Sequence, residues 1–282
     1  MSEVVALHAG TRTPPPRLAE MESARLDALC QAIRGNRFLP APAAETVFVG
    51  DGDYRTIGAE FLGHFVRIGG LRPTDRVLDI GCGIGRMAVP LTQYLDPEAG
   101  SYEGFDPVAE GIGWCAQAIT PVYPRFRFQH LDIRHALYNP DGHLAGIEVA
   151  LAHREESFDF AAMVSVATHL PPDEVGAYAR EIARLLAPGG RLFMTAFVIG
   201  RGAVEASGRD PRLGFRRAGD GPAWYADPAA PLGAVGFDEG FLEATLAAAG
   251  LIPVATSLGH WRGRAADHYQ DVIVATKPGR AA

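Results

Sequence analysis

A chain of 282 residues with 48% hydrophobic and 21% charged side chains has ordinary globular composition, sized for one large domain or two small ones. Its net charge is -7 and it carries no dense Lys/Arg run, which disfavours a nucleic-acid backbone as the main partner. Cys30, Cys82 and Cys115 are odd in number and fit neither a disulfide framework nor a zinc spacing, so no metal is expected and a reducing cytoplasm is the simplest setting.

The opening residues MSEVVALHAG lack the basic and apolar regions of a signal peptide. No apolar run approaches the ~20 residues that span a bilayer, so no membrane partner is expected. TPPP at 13–16 excludes helix interior. Leu18, Met21, Leu26, Leu29 and Ile33 then recur at helical spacing, predicting a helix over 17–34 that Gly35 and Asn36 cap. A second helix is predicted from about Arg55 to Ile68. From Arg76 strands and helices alternate: strand RVLDI, helix 87–94, strand 101–106, helix 108–119, and strands 126–132 and 159–166. The clearest helix follows, over 172–190, with Pro172–Asp173 at its start and Pro188–Gly189 just past its end. Strand 191–199 closes the series. Such alternation means a mostly parallel sheet covered by helices.

Residues 200–236, rich in Gly, Pro, Arg and Ala, read as a long irregular segment, either a lid, a binding loop or disorder. A helix is predicted over 236–251. LIPVATSL and QDVIVATK then read as two strands whose short connection allows only an antiparallel pair. The expected organisation is an N-terminal arm and cap helix (1–50), a core (51–200), an insert over the acceptor site (201–236), and a C-terminal helix with a strand pair (237–282).

The stretch RVLDIGCGIGR carries the chemistry. Glycines at a strand–turn–helix junction let a ligand approach the backbone, and the helix N-terminus offers free N–H groups. A dinucleotide turn reads G-x-G-x-x-G. Here Gly81, Gly83 and Gly85 give G-x-G-x-G, Arg86 stands at the third dinucleotide position, and Asp79 lies two residues before the turn. An anionic pyrophosphate does not favour that carboxylate. The ammonium and sulfonium of S-adenosylmethionine (SAM) do. Asp106 ends the second strand and suits ribose hydroxyls. Asp132 ends the third and can accept from an adenine amine, with the Ile133 N–H donating to a ring nitrogen.

Taken in order, VLDIGCGIGR, YEGFD, FQHLD, FDFAAMVSVATHL and EIARLLAPGGRLFMT resemble the motifs of the class I SAM-dependent methyltransferases across about residues 50–200. The resemblance is greatest to bacterial small-molecule methyltransferases with an N-terminal helical cap and an insert after the fifth strand. It implies a Rossmann-like α/β fold: a seven-stranded, mostly parallel sheet with an antiparallel last strand and helices on both faces. It also implies SAM as cofactor and a small-molecule acceptor, methylated on oxygen or nitrogen, from natural-product or sugar-like metabolism. The chain is expected as a monomer or homodimer.

Cofactor contacts are expected from Asp79, Gly81, Cys82, Gly83, Gly85, Asp106, Asp132, Ile133 and Ser165. Cys82 is read as a small side chain in a tight turn. The resemblance implies that the region of Tyr54 and Arg55 closes over the methionine end of SAM, where Arg55 either pairs with the carboxylate or is a surface residue. Arg86 either braces the turn or reaches the same carboxylate. His169 follows the fourth strand and suits a general base by its ordinary pKa of ~6.5, or else holds the THLPP loop. Trp224, Tyr225, His260, Trp261 and His268 either line an acceptor pocket or anchor loops. Glu155 and Glu156 read as a solvated loop. Two other readings remain: a nicotinamide dehydrogenase, disfavoured by Asp79 and the early third glycine, and a SAM-binding sensor or repurposed scaffold.

Overall fold

The chain opens with a two-residue strand, β1 (Val4–Val5), and the helix α1 (Glu20–Gly35). Asp53 caps the next helix, α2 (Tyr54–Arg67), its carboxylate accepting from the Thr56 N–H at 2.8 Å. Alternation follows: β2 (Arg76–Ile80), α3 (Ala88–Leu91), β3 (Ser101–Asp106), α4 (Ala109–Ala118) and β4 (Phe126–His130). It continues with β5 (Phe158–Met163), α5 (Pro172–Leu185) and β6 (Leu186–Ile199). After these come α6 (Ala203–Ser207), β7 (Arg216–Arg217), β8 (Ala223–Tyr225), β9 (Val235–Asp238), α7 (Phe241–Ala248), β10 (Ile252–Ser257) and β11 (Asp271–Thr276). The computed structural model describes residues 4–5 and 20–280 apart from 51, 201, 208–211 and 218. The start of the expected first helix, 17–19, lies outside the described residues.

Strand order is β1-β10-β11-β6-β5-β2-β3-β4. β4, β3, β2, β5 and β6 are mutually parallel, and β11 runs antiparallel to β6 and to β10. The seven strands from β4 to β10 therefore form a mostly parallel Rossmann-like sheet whose last strand is reversed. β1 extends the outer edge by pairing with β10.

Successive residues of each strand go to opposite faces, and this alternation builds two cores. Leu78, Ile80, Ala161, Met163, Leu192, Met194, Ile273 and Ala275 join Val175, Tyr178 and Ile182 of α5 and Leu242 and Leu246 of α7. Val77, Phe160, Ala162, Phe193, Val272 and Val274 join Leu62 and Phe65 of α2, with α1, α3 and α4 on that side. On α5 the apolar positions Val175, Tyr178, Ala179, Ile182 and Leu185 make one helical stripe. No described helix is long and apolar enough to cross a membrane.

Four expectations are corrected. The helix predicted over 172–190, with Pro188–Gly189 just past its end, stops at Leu185, and Leu186 begins a 14-residue strand. Gly189 donates to the Lys277 carbonyl and Lys277 to the Gly190 carbonyl, each at 2.9 Å, so LAPGG is held as strand by a segment far along the chain. The predicted helix 87–94 shortens to α3. The predicted helix over 236–251 begins as β9. The described residues of 200–236 are not wholly irregular: β9 pairs parallel with the distal end of β6, and β8 and β7 add antiparallel outside it. Beneath them Phe197, Ile199, Ala203, Leu213, Phe215 and Trp261 form a third apolar cluster.

Candidate active site

β2 ends at Ile80, and the chain must turn sharply to begin α3. Gly81, Gly83 and Gly85 make the turn at φ of 78°, 56° and 75°, in the left-handed region that favours glycine. Space enforces the same choice. A Cβ on Gly81 would lie 2.2 Å from Val166 Cγ2, on Gly83 2.5 Å from Val49 Cγ1, and on Gly85 2.8 Å from Cys115 Sγ. The turn is pinned to β3. The Gly81 and Cys82 N–H groups donate to the Phe105 carbonyl at 2.8 and 3.0 Å. The Gly83 N–H donates to Asp106 Oδ2 at 2.7 Å, and the Val108 N–H to Asp106 Oδ1 at 2.8 Å.

Asp79 is 1% exposed. Tyr102 donates to its Oδ2 at 2.5 Å, while Oδ1 is buried without a partner. Burial pushes the Asp79 carboxyl up to about 7; the Tyr102 bond opposes this and the Asp106 charge adds to it. Burial also pushes Asp106 up, against the bonds from Val108 and Gly83. Two buried acids, one with an unpaired oxygen, want a cation. The residues therefore fit SAM. Its ammonium would neutralise Asp79, and its ribose hydroxyls could use the lone pairs that Asp106 has left. The Cys82 thiol is buried and pushed well above its ordinary pKa, in keeping with a packing role.

Other expected contacts are placed differently. β4 stops at His130, so Asp132 lies two residues beyond it, in a loop rather than on the strand. Its Oδ2 bonds His143 Nδ1 at 2.6 Å and its Oδ1 accepts from Asn139 Nδ2 at 3.2 Å; the His143 bond leads in holding the carboxyl below its usual range. The Ile133 N–H donates to the Leu131 carbonyl at 2.7 Å, so the free donor expected there is engaged within the loop. Arg55 Nη2 donates to the carbonyls of Leu39 and Arg37 at 3.1 and 3.4 Å, which ties α2 to the arm, while its buried Nε has no hydrogen-bond partner among the described residues. Arg86 donates to the Gly50 carbonyl at 2.9 Å and Tyr54 to the Ile84 carbonyl at 2.8 Å. These bonds hold Phe48 and Val49 against the glycine turn.

Beyond the end of β5, Ser165 is left-handed, with φ of 57°. Its N–H donates to Thr195 Oγ1 at 2.7 Å and its hydroxyl to Gln270 Oε1 at 3.0 Å. His169 follows on the same loop. Its Nδ1 donates to the Leu232 carbonyl of the insert at 2.9 Å, leaving Nε2 as the lone-pair nitrogen, 3.4 Å from the Tyr138 hydroxyl. Burial holds the imidazole below its ordinary pKa, although the Leu232 bond opposes it. His268 is instead structural: it is 2% exposed, Nδ1 donates to the Gln270 carbonyl at 2.6 Å and Nε2 meets Ser257 Oγ at 2.8 Å. Trp261 is a buried anchor of the third cluster, and His260 packs on Tyr269. Trp224 is half-buried and donates to Asp238 at 2.8 Å.

Tyr102, Val49, Val166 and Gln270 were not among the expected contacts. Of these only Tyr102 had a signal: in-register pairing of β2 with β3 sets it opposite Val77, on the face that Asp79 shares.

Residues 53–256 match the family described as a methyltransferase domain. Among solved structures, a protein from Pyrococcus horikoshii OT3 is similar at TM-score 0.56 and 14% identity, over 83% of this chain and 96% of that one. The cyclase SpnF is similar at TM-score 0.53 and 18% identity, over 95% of this chain and 100% of that one. The 1,6-didemethyltoxoflavin-N1-methyltransferase of Burkholderia thailandensis was solved with 1,6-didemethyltoxoflavin and S-adenosylhomocysteine bound. It is similar at TM-score 0.50 and 20% identity, over 98% of this chain and 95% of that one. These likenesses show a shared fold, and the family match spans well over half of the residues: the chain belongs to the methyltransferase domain family, as a class I SAM-dependent methyltransferase.

Proposed function

We propose that this enzyme methylates an oxygen or nitrogen of a small-molecule acceptor at the edge where β5 and β6 end. The observation that carries this reading is the contact between His169 and the insert: the Leu232 carbonyl sits 2.9 Å from Nδ1, so the insert covers the loop after β5. A covered edge suits a small molecule better than a macromolecule. A fold neighbour, the Burkholderia N1-methyltransferase, acts on such a compound. The three free, buried thiols support a reducing cytoplasmic setting.

When bound, the cofactor supplies a methyl group already activated by positive sulfur. The glycine turn, Asp79 and Asp106 would hold it, and the loop of Asp132 and Ile133 would border it. The remaining work is to bring the acceptor atom into line and receive its proton. His169 suits the second task. Its Nδ1–H is fixed on Leu232, burial keeps it neutral at pH 7, and Nε2, which accepts from the Tyr138 hydroxyl at 3.4 Å, would exchange that bond for one from an acceptor hydroxyl and take its proton. The resulting imidazolium keeps the Nδ1–H bond to the carbonyl.

A second reading, a SAM-binding protein that does not transfer methyl, draws on the shared fold with the cyclase SpnF. Incubation with methyl-labelled SAM and a metabolite extract separates the two. Label in a small-molecule product supports transfer. Tight binding of S-adenosylhomocysteine with no labelled product from any extract favours the second reading.

A further inference from the structure

β11 runs against the parallel strands, so its beginning lies where β5 and β6 end. Asp271 pairs with Ala196, and Gln270 stands one residue before it. Ligands of open α/β sheets bind outside the carboxyl ends of the strands. An antiparallel strand thus delivers its first residues to that edge.

Gln270 is locked there. Its carbonyl accepts from His268 Nδ1 at 2.6 Å, and a Cβ on Gly259 would lie 2.1 Å from the Tyr269 carbonyl, so the connection packs backbone against backbone. Its side-chain amide is locked as well. Thr195 Oγ1 accepts the Ser165 N–H, so the threonine proton must go outward, and it goes to Gln270 Oε1 at 2.6 Å. The Ser165 hydroxyl donates to the same oxygen at 3.0 Å. Both lone pairs of Oε1 are filled; a flipped amide would donate to the same two hydroxyl oxygens and leave the buried Thr195 hydroxyl proton without its acceptor. The NH2 is left as a fixed pair of donors with no partner among the described residues. Ser165 is held in left-handed backbone to make this arrangement.

We propose that Gln270 is the specificity-determining residue of the acceptor site, donating from its amide NH2 to a carbonyl oxygen or an unprotonated ring nitrogen of the acceptor. Resting on the transfer reading above, this narrows the substrate class. The methylated oxygen or nitrogen is flanked by a hydrogen-bond acceptor, as in a lactam, a hydroxy-ketone or a nitrogen heteroaromatic. His169, four residues beyond Ser165, faces the nucleophile's proton, and Gln270 faces the flanking lone pair.

The test uses the full-length enzyme, SAM carrying a deuterated methyl group, and a metabolite extract of the source cells. The product is isolated by its mass shift and its structure determined. A carbonyl or unprotonated ring nitrogen next to the methylated atom is expected. Gln270→Leu should raise the acceptor KM about tenfold, the loss of one hydrogen bond. Its kcat and its affinity for S-adenosylhomocysteine should change less than about twofold. Thr195→Val, which frees the amide to flip, should raise the same KM by a smaller factor and serves if Gln270→Leu does not fold. A product without such a flanking group, or an unchanged KM in both variants, overturns the proposal. Absence of any product while S-adenosylhomocysteine still binds overturns the transfer reading and this inference with it; a product with the wrong structure overturns this inference alone.

Discussion

Asp106 is asked to do two things with one carboxylate: hold the glycine turn through the Gly83 and Val108 N–H groups, and offer its remaining lone pairs to ribose. Asp106→Asn preserves shape but replaces one acceptor oxygen by a donor that faces an N–H. Cofactor affinity should fall by about 1–3 kcal/mol, read by calorimetry with S-adenosylhomocysteine. An unchanged affinity would show that the ribose is held elsewhere. His169→Ala should lower turnover by about 10²–10⁴-fold for a hydroxyl acceptor, with cofactor affinity little changed. Because burial holds the imidazole below its ordinary ~6.5, the wild-type rate should fall only as pH drops below that value, and this limb should vanish in the variant. A loss that tracks thermal stability instead would make His169 a loop anchor. The placement of Asp79, Asp106 and the glycines together was legible because a strand, a turn and an acid occupy fixed neighbouring positions. Asp132 was less so. Its place depends on His143, eleven residues on, and nothing in HLDIR reveals that β4 stops early.

Elements were legible where local pattern and tertiary pairing agree. RVLDI and SYEGFD are continuous strands between turns, and the observed β2 and β3 span the predicted residues. Elements failed where a distant partner decides. LAPGG has helix-stop chemistry, yet Lys277 holds it as strand. β7, β8 and β9 are two, three and four residues long, too short to show alternation, and their pairing begins on the far end of β6. Their stability rests on the cluster around Trp261, whose ring meets those of Phe197 and Phe215 at 5.2 and 5.8 Å. Trp261→Ala should cost about 3–5 kcal/mol. Hydrogen exchange should speed first at β8 and β9 and leave β2 and β5 unchanged. Equal acceleration in all four strands would mean that the insert and the central sheet open as one unit.

At the scale of the whole molecule, the buried acid at the end of β2 links stability, pH and cofactor. An unfolded aspartate ionises near ~3.9, whereas burial lifts Asp79 to about 7 in the fold. Between those values the folded protein holds a proton that the unfolded chain has released. The stabilising contribution of protonated Asp79 is therefore complete below about pH 4 and is lost as pH rises toward 7, with a slope approaching about 1.4 kcal/mol per pH unit. Other carboxyls titrate over the same range, so the readout is the difference between wild type and Asp79→Asn in urea unfolding, where their contributions cancel. The difference should tilt toward the variant as pH rises. Cofactor reverses the balance, since an ammonium beside Asp79 favours the carboxylate. Binding at neutral pH should then expel a proton, and affinity should climb as pH approaches 7. Calorimetry in two buffers of different ionisation heat measures that proton directly. Release in the wild type and none in Asp79→Asn is the expected result. No release in either, with a flat affinity profile, would mean that the unpaired oxygen of Asp79 meets no cation and that the ammonium is held by other groups.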